Sequence, residues 1–217
     1  MFAGHFAAGA VLKGADNRVS LWALLLGVQF VDIFAMIFVL LGIERMNVVP
    51  GFTATNDLDM FMPYTHSLIL TPIWAALGAA LYKLYDKTAD RKALLVIAAA
   101  VACHWPLDLL VHVPDMPIFL SEDMKVGFGL WNMPLITIAI ETLIVIAAFV
   151  IYRRTSMPQV TNMPVFIVLF GLMAFFALHA LFMHIPTENT TSAAIMGLVF
   201  FLGFPLLAYF VERKAAG

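Results

Sequence analysis

A polytopic, all-α transmembrane helix bundle of six spans plus a short N-terminal re-entrant half-helix is the fold class that this sequence predicts. Three observations carry the expectation. Of the 217 residues, 63% are hydrophobic and only 12% charged, where a soluble domain carries about 25% charge; mean hydropathy is +0.95. The apolar residues gather into runs of the length that crosses a ~30 Å hydrocarbon core as a helix. The connections between runs alternate in charge, as the positive-inside rule requires. The whole chain, 1–217, reads as a single integral membrane domain.

Taken in order, Met1–Leu12 is apolar but too short to span, which takes about 20 helical residues, so it is expected to enter the bundle as a half-helix rising from Lys13. No basic segment precedes it, so it does not read as a secretory signal peptide. The six spans are Leu21–Leu41, His66–Tyr85, Ala93–Val113, Met133–Tyr152, Pro164–Met183 and Ala193–Val211. Pro63, Pro134 and Pro164 stand where spans begin, a position that tolerates the missing N–H. Pro106 lies inside the third span and is expected to kink it, freeing a carbonyl near His104. Lys13, Arg18, Lys83, Lys87, Arg91, Lys92, Arg153, Arg154, Arg213 and Lys214 fall on one side. The alternate loops, Gly42–Pro63, Pro114–Asn132 and His184–Ser192, are acidic and carry few positive charges. Both termini are therefore expected in the cytoplasm, with those three loops outside.

Several function classes drop out. A net charge of −2 with no Lys/Arg block argues against nucleic acid as a partner. The single cysteine, Cys103, excludes an intramolecular disulfide and a CxxC metal knuckle, and reads as a small apolar residue of a buried helix. There is no Walker loop, dinucleotide-binding glycine motif or nucleophile elbow.

The polar residues that remain inside the spans are informative. His104, Asp108 and His112 are spaced four and four, which puts them on one helical face at about 100° per residue. Ionisable groups at membrane depth are costly and point into a bundle or a wet cavity. Counted at ~1.5 Å per residue from the cytoplasmic ends, Asp32, His104 and Glu141 each lie about 16–17 Å up, Asp108 one turn higher and His5 about 12 Å up. His66 enters from the outer surface. A mixed imidazole and carboxylate set suits zinc, manganese or iron better than calcium, so His5, Asp32, His66, His104 and Asp108 are the candidate ligands for one or two divalent ions, zinc first. Two ions sharing a carboxylate would suit ester hydrolysis. Each residue taken singly also has an ordinary reading: Asp32, with Gln29 one turn before it, can serve helix–helix hydrogen bonding, while His112, His179 and His184 read as solvated near the outer surface. Met60 and Met62 beside Asp57 and Asp59 raise a copper reading, but most of the 13 methionines read as apolar filler.

The order of these motifs resembles a known family. Gly4-His5, Val31-Asp32-Ile33, Tyr64-Thr65-His66-Ser67-Leu68 and His104-x3-Asp108 are similar to the YdjM-type predicted membrane-bound metal-dependent hydrolases over roughly Met1 to Pro117. The His/Asp order is more distantly similar to that of zinc-dependent phospholipase C. The resemblance implies an integral inner-membrane protein whose divalent metal is held by those five residues. Two positions depart from the family pattern. Phe34 stands where a further acidic residue is frequent, and Phe61-Met62-Pro63 replaces His-Arg-Gly, removing the natural clamp for a phosphate oxygen.

The functional expectation is a membrane-embedded metal-dependent hydrolase acting on a lipid or membrane-associated (phospho)ester, its site opening outward and Glu141 or His112 serving as general base. The alternative class is a non-enzymatic membrane protein, either an ion or proton transporter or an accessory subunit of a membrane complex, with Asp32, Asp108 and Glu141 as a proton relay. A homo-oligomer is compatible with either class. A third reading is b-type haem held by His104 or His112 with His179.

Overall fold

The computed structural model describes residues 2–179 and 189–212; side-chain placement at His179 lies outside that description. The chain is mostly helical, with two small two-stranded sheets on the connecting segments. Among the described residues, four helices are long and apolar enough to cross a membrane, and five if one bent pair counts as a single span. They are compatible with an integral membrane protein. Six spans is not reached among the described residues. The fifth predicted run forms α8, Met163–His179, shorter as described; the rest of that run, and most of the loop His184–Ser192, lies outside the described residues.

The N-terminal apolar stretch folds as α1, Phe2–Leu12, and lies in the middle of the bundle. Ala3, Phe6, Ala7 and Ala10 are fully buried against Leu21, Leu25, Val145, Ala148 and Tyr152. Small residues on a helix permit this close approach where larger ones would hold the neighbours apart. At Gly9 a Cβ would stand 3.0 Å from Leu25 and 3.2 Å from the Leu24 carbonyl. An aromatic cluster packs around the start of α1: Phe6 stacks on Phe204 at 4.2 Å, and Phe2 meets Phe176, Phe200 and Phe204 edge-on.

Two of the spans are broken, and both breaks matter for the site. The first consists of α2, Leu21–Val28, and α3, Phe30–Leu40, bent by 49° at Gln29. The third consists of α5, Arg91–Ala102, and α6, His104–Val111, interrupted at Cys103. Pro106 sits in the first turn of α6, the position that tolerates its missing N–H. The second span begins later than predicted: His66 precedes a short 3-10 turn at Leu68–Leu70, and α4 runs Thr71–Tyr85. Helix α7, Pro134–Thr155, and α9, Thr190–Glu212, complete the frame.

Between α3 and α4, β1 (Arg45–Val48) pairs antiparallel with β2 (Leu58–Phe61), with Met46 opposite Met60. Met46 and Met62 turn inward against Ala35, Met36 and Ala194, which accounts for these methionines as packing. At the far end, Asp90 caps α5 by accepting from the Ala93 amide at 3.0 Å. Arg18 bridges Asp90 and Asp16, and its hydrogen bonds hold the Asp16 carboxyl below its ordinary range.

The bundle is tied at that end by a buried polar knot. Lys13, 1% exposed, donates to Glu212 Oε1 at 2.9 Å and to the Val19 carbonyl at 2.7 Å. Tyr152 Oη donates to Glu212 Oε1 at 2.8 Å, and the Leu21 amide donates to Oε2 at 2.8 Å. One carboxylate thus joins α1, α2, α7 and α9. Glu212→Gln, which strands the Lys13 charge, is expected to cost about 3–5 kcal/mol, and Tyr152→Phe about 1.5–3 kcal/mol. Thermal unfolding of the detergent-solubilised protein should show the larger loss for Glu212→Gln.

Candidate metal centre

The two broken spans and the loop before α4 meet at one point. Asp32 is supplied by the first turn of α3, His66 by the turn preceding α4, and His104 and Asp108 by successive turns of α6. One ligand atom from each lies within 4.8 Å of the other three. The separations are His66 Nε2 to His104 Nε2, 3.3 Å; Asp32 Oδ1 to His66 Nε2, 3.2 Å, and to His104 Nε2, 3.4 Å; Asp108 Oδ2 to His104 Nε2, 2.9 Å, and to His66 Nε2, 3.6 Å. Four donors about 2.0–2.1 Å from a tetrahedral zinc stand about 3.3 Å apart. The five separations that involve an imidazole, 2.9–3.6 Å, are close to that spacing.

The hydrogen bonds behind the imidazoles fix which nitrogen of each ring points at the centre. His104 Nδ1 lies 2.7 Å from the Val28 carbonyl oxygen, which only accepts, so Nδ1 carries the hydrogen. Val28 is the last residue of α2, and the bend at Gln29 leaves its carbonyl open to this bond. Behind His66 stands a longer relay. Glu44 Oε1 accepts from the Tyr64 and Thr65 amides, each at 2.9 Å, and Oε2 accepts the Thr65 hydroxyl at 2.8 Å. The Thr65 hydroxyl hydrogen is thereby engaged, so its oxygen accepts from His66 Nδ1–H at 2.8 Å. Trp105 Nε1 donates to the His66 carbonyl at 3.0 Å and fixes the turn. In their neutral form both imidazoles therefore aim an Nε2 lone pair at two carboxylate oxygens. Two imidazoles and two carboxylates converging in a buried pocket could hold a metal ion between them. Carbonyl- and carboxylate-backed histidines are also how metal sites fix their ligands.

The remaining candidates stand around this centre. His5 stacks on His104 at 4.1 Å, and its Nε2 lies 3.3 Å from Asp108 Oδ1, the carboxylate oxygen turned away from the cluster. It is thus a neighbour of a ligand, outside the set of four. Glu141 accepts the Gly4 amide at 3.0 Å and also bonds the backbone of Phe2 and Ala3. It holds the N-terminus of α1, where a carboxylate is favoured, and so seats His5 one turn on. His112, expected to be solvated, is buried. Its Nδ1 lies 2.9 Å from Asp115 Oδ1, its Nε2 is 3.8 Å from Asp108 Oδ2, and its ring lies 4.1 Å from that of Trp131. The loop that brings Trp131 there passes so close to α6 that a Cβ on Gly127 would collide with the Val113 carbonyl. His184 and the side chain of His179 lie outside the described residues, and with them the second imidazole of the haem reading.

A cavity of about 250 Å³ opens beside the cluster. Asp32, His66, Asp108 and His112 border it, with His5 and Glu141 deeper in the wall; the rest is largely apolar, including Phe2, Met36, Met46, Phe176, Phe200 and Phe201. Gln29 also borders it, fully buried, and neither atom of its amide has a hydrogen-bond partner. Each unmade bond of a buried amide costs on the order of 1–3 kcal/mol.

Glu44 and Asp115 were not singled out from the sequence. Both lie in polar loops outside the apolar runs, where acidic residues are ordinary, and only the fold brings them against His66 and His112. Protein purified from zinc-supplemented cells should carry metal that His104→Ala loses, as read by elemental analysis. Glu44→Gln, which weakens the support of His66 without touching the ligands, should lower metal affinity about 10–100-fold in a chelator competition. Comparison with protein-family models, with curated proteins and with solved structures finds no match to this chain.

Proposed function

We propose that this protein is a membrane-embedded metal-dependent hydrolase, a relative of the YdjM-type proteins, acting on a lipid or membrane-associated ester. One observation carries the reading: the converged Asp32–His66–His104–Asp108 cluster forms part of the wall of a largely apolar cavity, beside a histidine already oriented by a carboxylate. Asp32, His66 and Asp108 face the cavity and His104 stands behind them, so a molecule in the cavity reaches the cluster from one side. A divalent ion held there would polarise an ester carbonyl and make a bound water acidic near neutral pH.

The chain's own residues have distinct tasks. Asp115 accepts from His112 Nδ1–H and leaves Nε2 free to take a proton from water, the arrangement of a base with its orienting group. The Phe and Met wall excludes bulk water and holds hydrocarbon. Glu141 positions α1, and so His5, beside Asp108; between the two candidate bases, the geometry favours His112. The charge pattern of the loops supports a site on the outer half of the inner membrane with both termini cytoplasmic.

A second reading is favoured by the completeness of the donor set. Four protein ligands closing a tetrahedron are typical of structural zinc, and such an ion would pin the two broken spans in a non-enzymatic protein or a complex subunit. Turnover separates the two. His112→Gln should keep its metal and lose about 10²–10⁴ in kcat on a short-chain ester substrate, while Asp108→Ala should lose both metal and turnover. Metal-replete wild-type protein with no esterase activity on neutral or phosphorylated lipids would favour the structural reading.

A further inference from the structure

Gln29 sits at the elbow of the first span, one turn before Asp32, and borders the cavity with an amide that no protein group satisfies. Native interiors rarely leave such a group unpaired, and here the two donors and the acceptor all lack a partner. The cavity wall is largely apolar, with Phe2, Met36, Phe176, Phe200 and Phe201 in it, and no described protein group bonds the amide. The partner is then a molecule that enters the cavity.

The chemistry of that molecule can be narrowed. No Lys or Arg is among the described residues lining the cavity, whereas Asp32, Asp108 and Glu141 are, so a phosphorylated ligand has no cationic side chain to meet it. A cavity of about 250 Å³ is small even for a single drug-sized ligand and takes one hydrocarbon chain in place of two. We propose that Gln29 is the recognition residue for the acyl carbonyl of a neutral single-chain ester of the monoacylglycerol type. Gln29 Nε2 donates to the carbonyl oxygen, Oε1 accepts from a glycerol hydroxyl, and the chain lies along the aromatic wall with its ester toward Asp32. This assignment rests on the hydrolase reading for its orientation and on the unsatisfied amide for the contact itself.

The test is binding without turnover, on full-length detergent-solubilised protein stripped with chelator. The probes are a brominated monoacylglycerol, its ether analogue lacking the carbonyl, and a brominated monoacyl phosphate, each read by quenching of tryptophan fluorescence, to which Trp131 in the cavity wall contributes. Wild type should prefer the ester over the ether by about tenfold, the worth of one hydrogen bond, and should bind the phosphate least. Gln29→Met keeps the length and removes both polar atoms, and Gln29→Leu serves if that variant does not fold. In either, the ester-to-ether ratio should fall to about one while the apo protein melts higher, since a buried unpaired amide has been removed. A ratio unchanged by the substitution, a wild type with no ester preference, or tighter binding of the phosphate would overturn the proposal. Metal content measured on unstripped portions of the same preparations separates the two readings. Metal-free protein that keeps the ester preference would sink the hydrolase and leave Gln29 its role; metal-replete protein without the preference would do the reverse.

Discussion

The convergence of two imidazoles and two carboxylates on one buried point is the constraint on which the rest of this structure depends. With both imidazoles neutral the four ligand atoms repel one another, and a low-dielectric interior magnifies the repulsion. A divalent cation held there would reverse the sign of every one of these contacts. The polar architecture around the point reads as machinery for holding the four atoms there. The bend at Gln29 frees the Val28 carbonyl for His104, and the Glu44–Thr65 pair fixes His66 from behind.

The breaks in the helices are part of the same solution. A continuous first span would use the Val28 carbonyl within its own helix. The 49° bend at Gln29 lets α3 be aimed independently of α2, while the third span carries His104 and Asp108 one turn apart on a single face of α6. Irregular backbone at this depth is tolerable where protein groups complete its hydrogen bonds, and His104 does so at Val28. The short helix α1 is held from both ends, by Glu141 at its start and by the Lys13–Glu212–Tyr152 knot just past its end. It fills the centre of the bundle and brings His5 against Asp108.

Much of the centre was legible in the sequence because cost at membrane depth singles out its members. Asp32, His104 and Asp108 are the polar exceptions in apolar runs, and their four-residue spacing and common depth pointed to one plane. His5 and Glu141 belong to the same neighbourhood, but depth alone cannot separate a ligand from a residue that touches one. His112 was read as solvated because it lies near the end of its run; the loop carrying Trp131 folds back and buries it, a tertiary event with no local signature. Glu44 and Asp115 were invisible for the same reason. Hydropathy runs register apolar length and are blind to the bend at Gln29 inside the first of them.

The central claim is that one cation occupies the point equidistant from Asp32 Oδ1, His66 Nε2, His104 Nε2 and Asp108 Oδ2. Anomalous scattering at the zinc edge, from crystals of protein purified with zinc and without chelator, tests it most directly. The account predicts a single strong anomalous peak about 2.0–2.1 Å from all four atoms. Ordered density for the four side chains with no peak between them, or a peak elsewhere in the bundle, would contradict it.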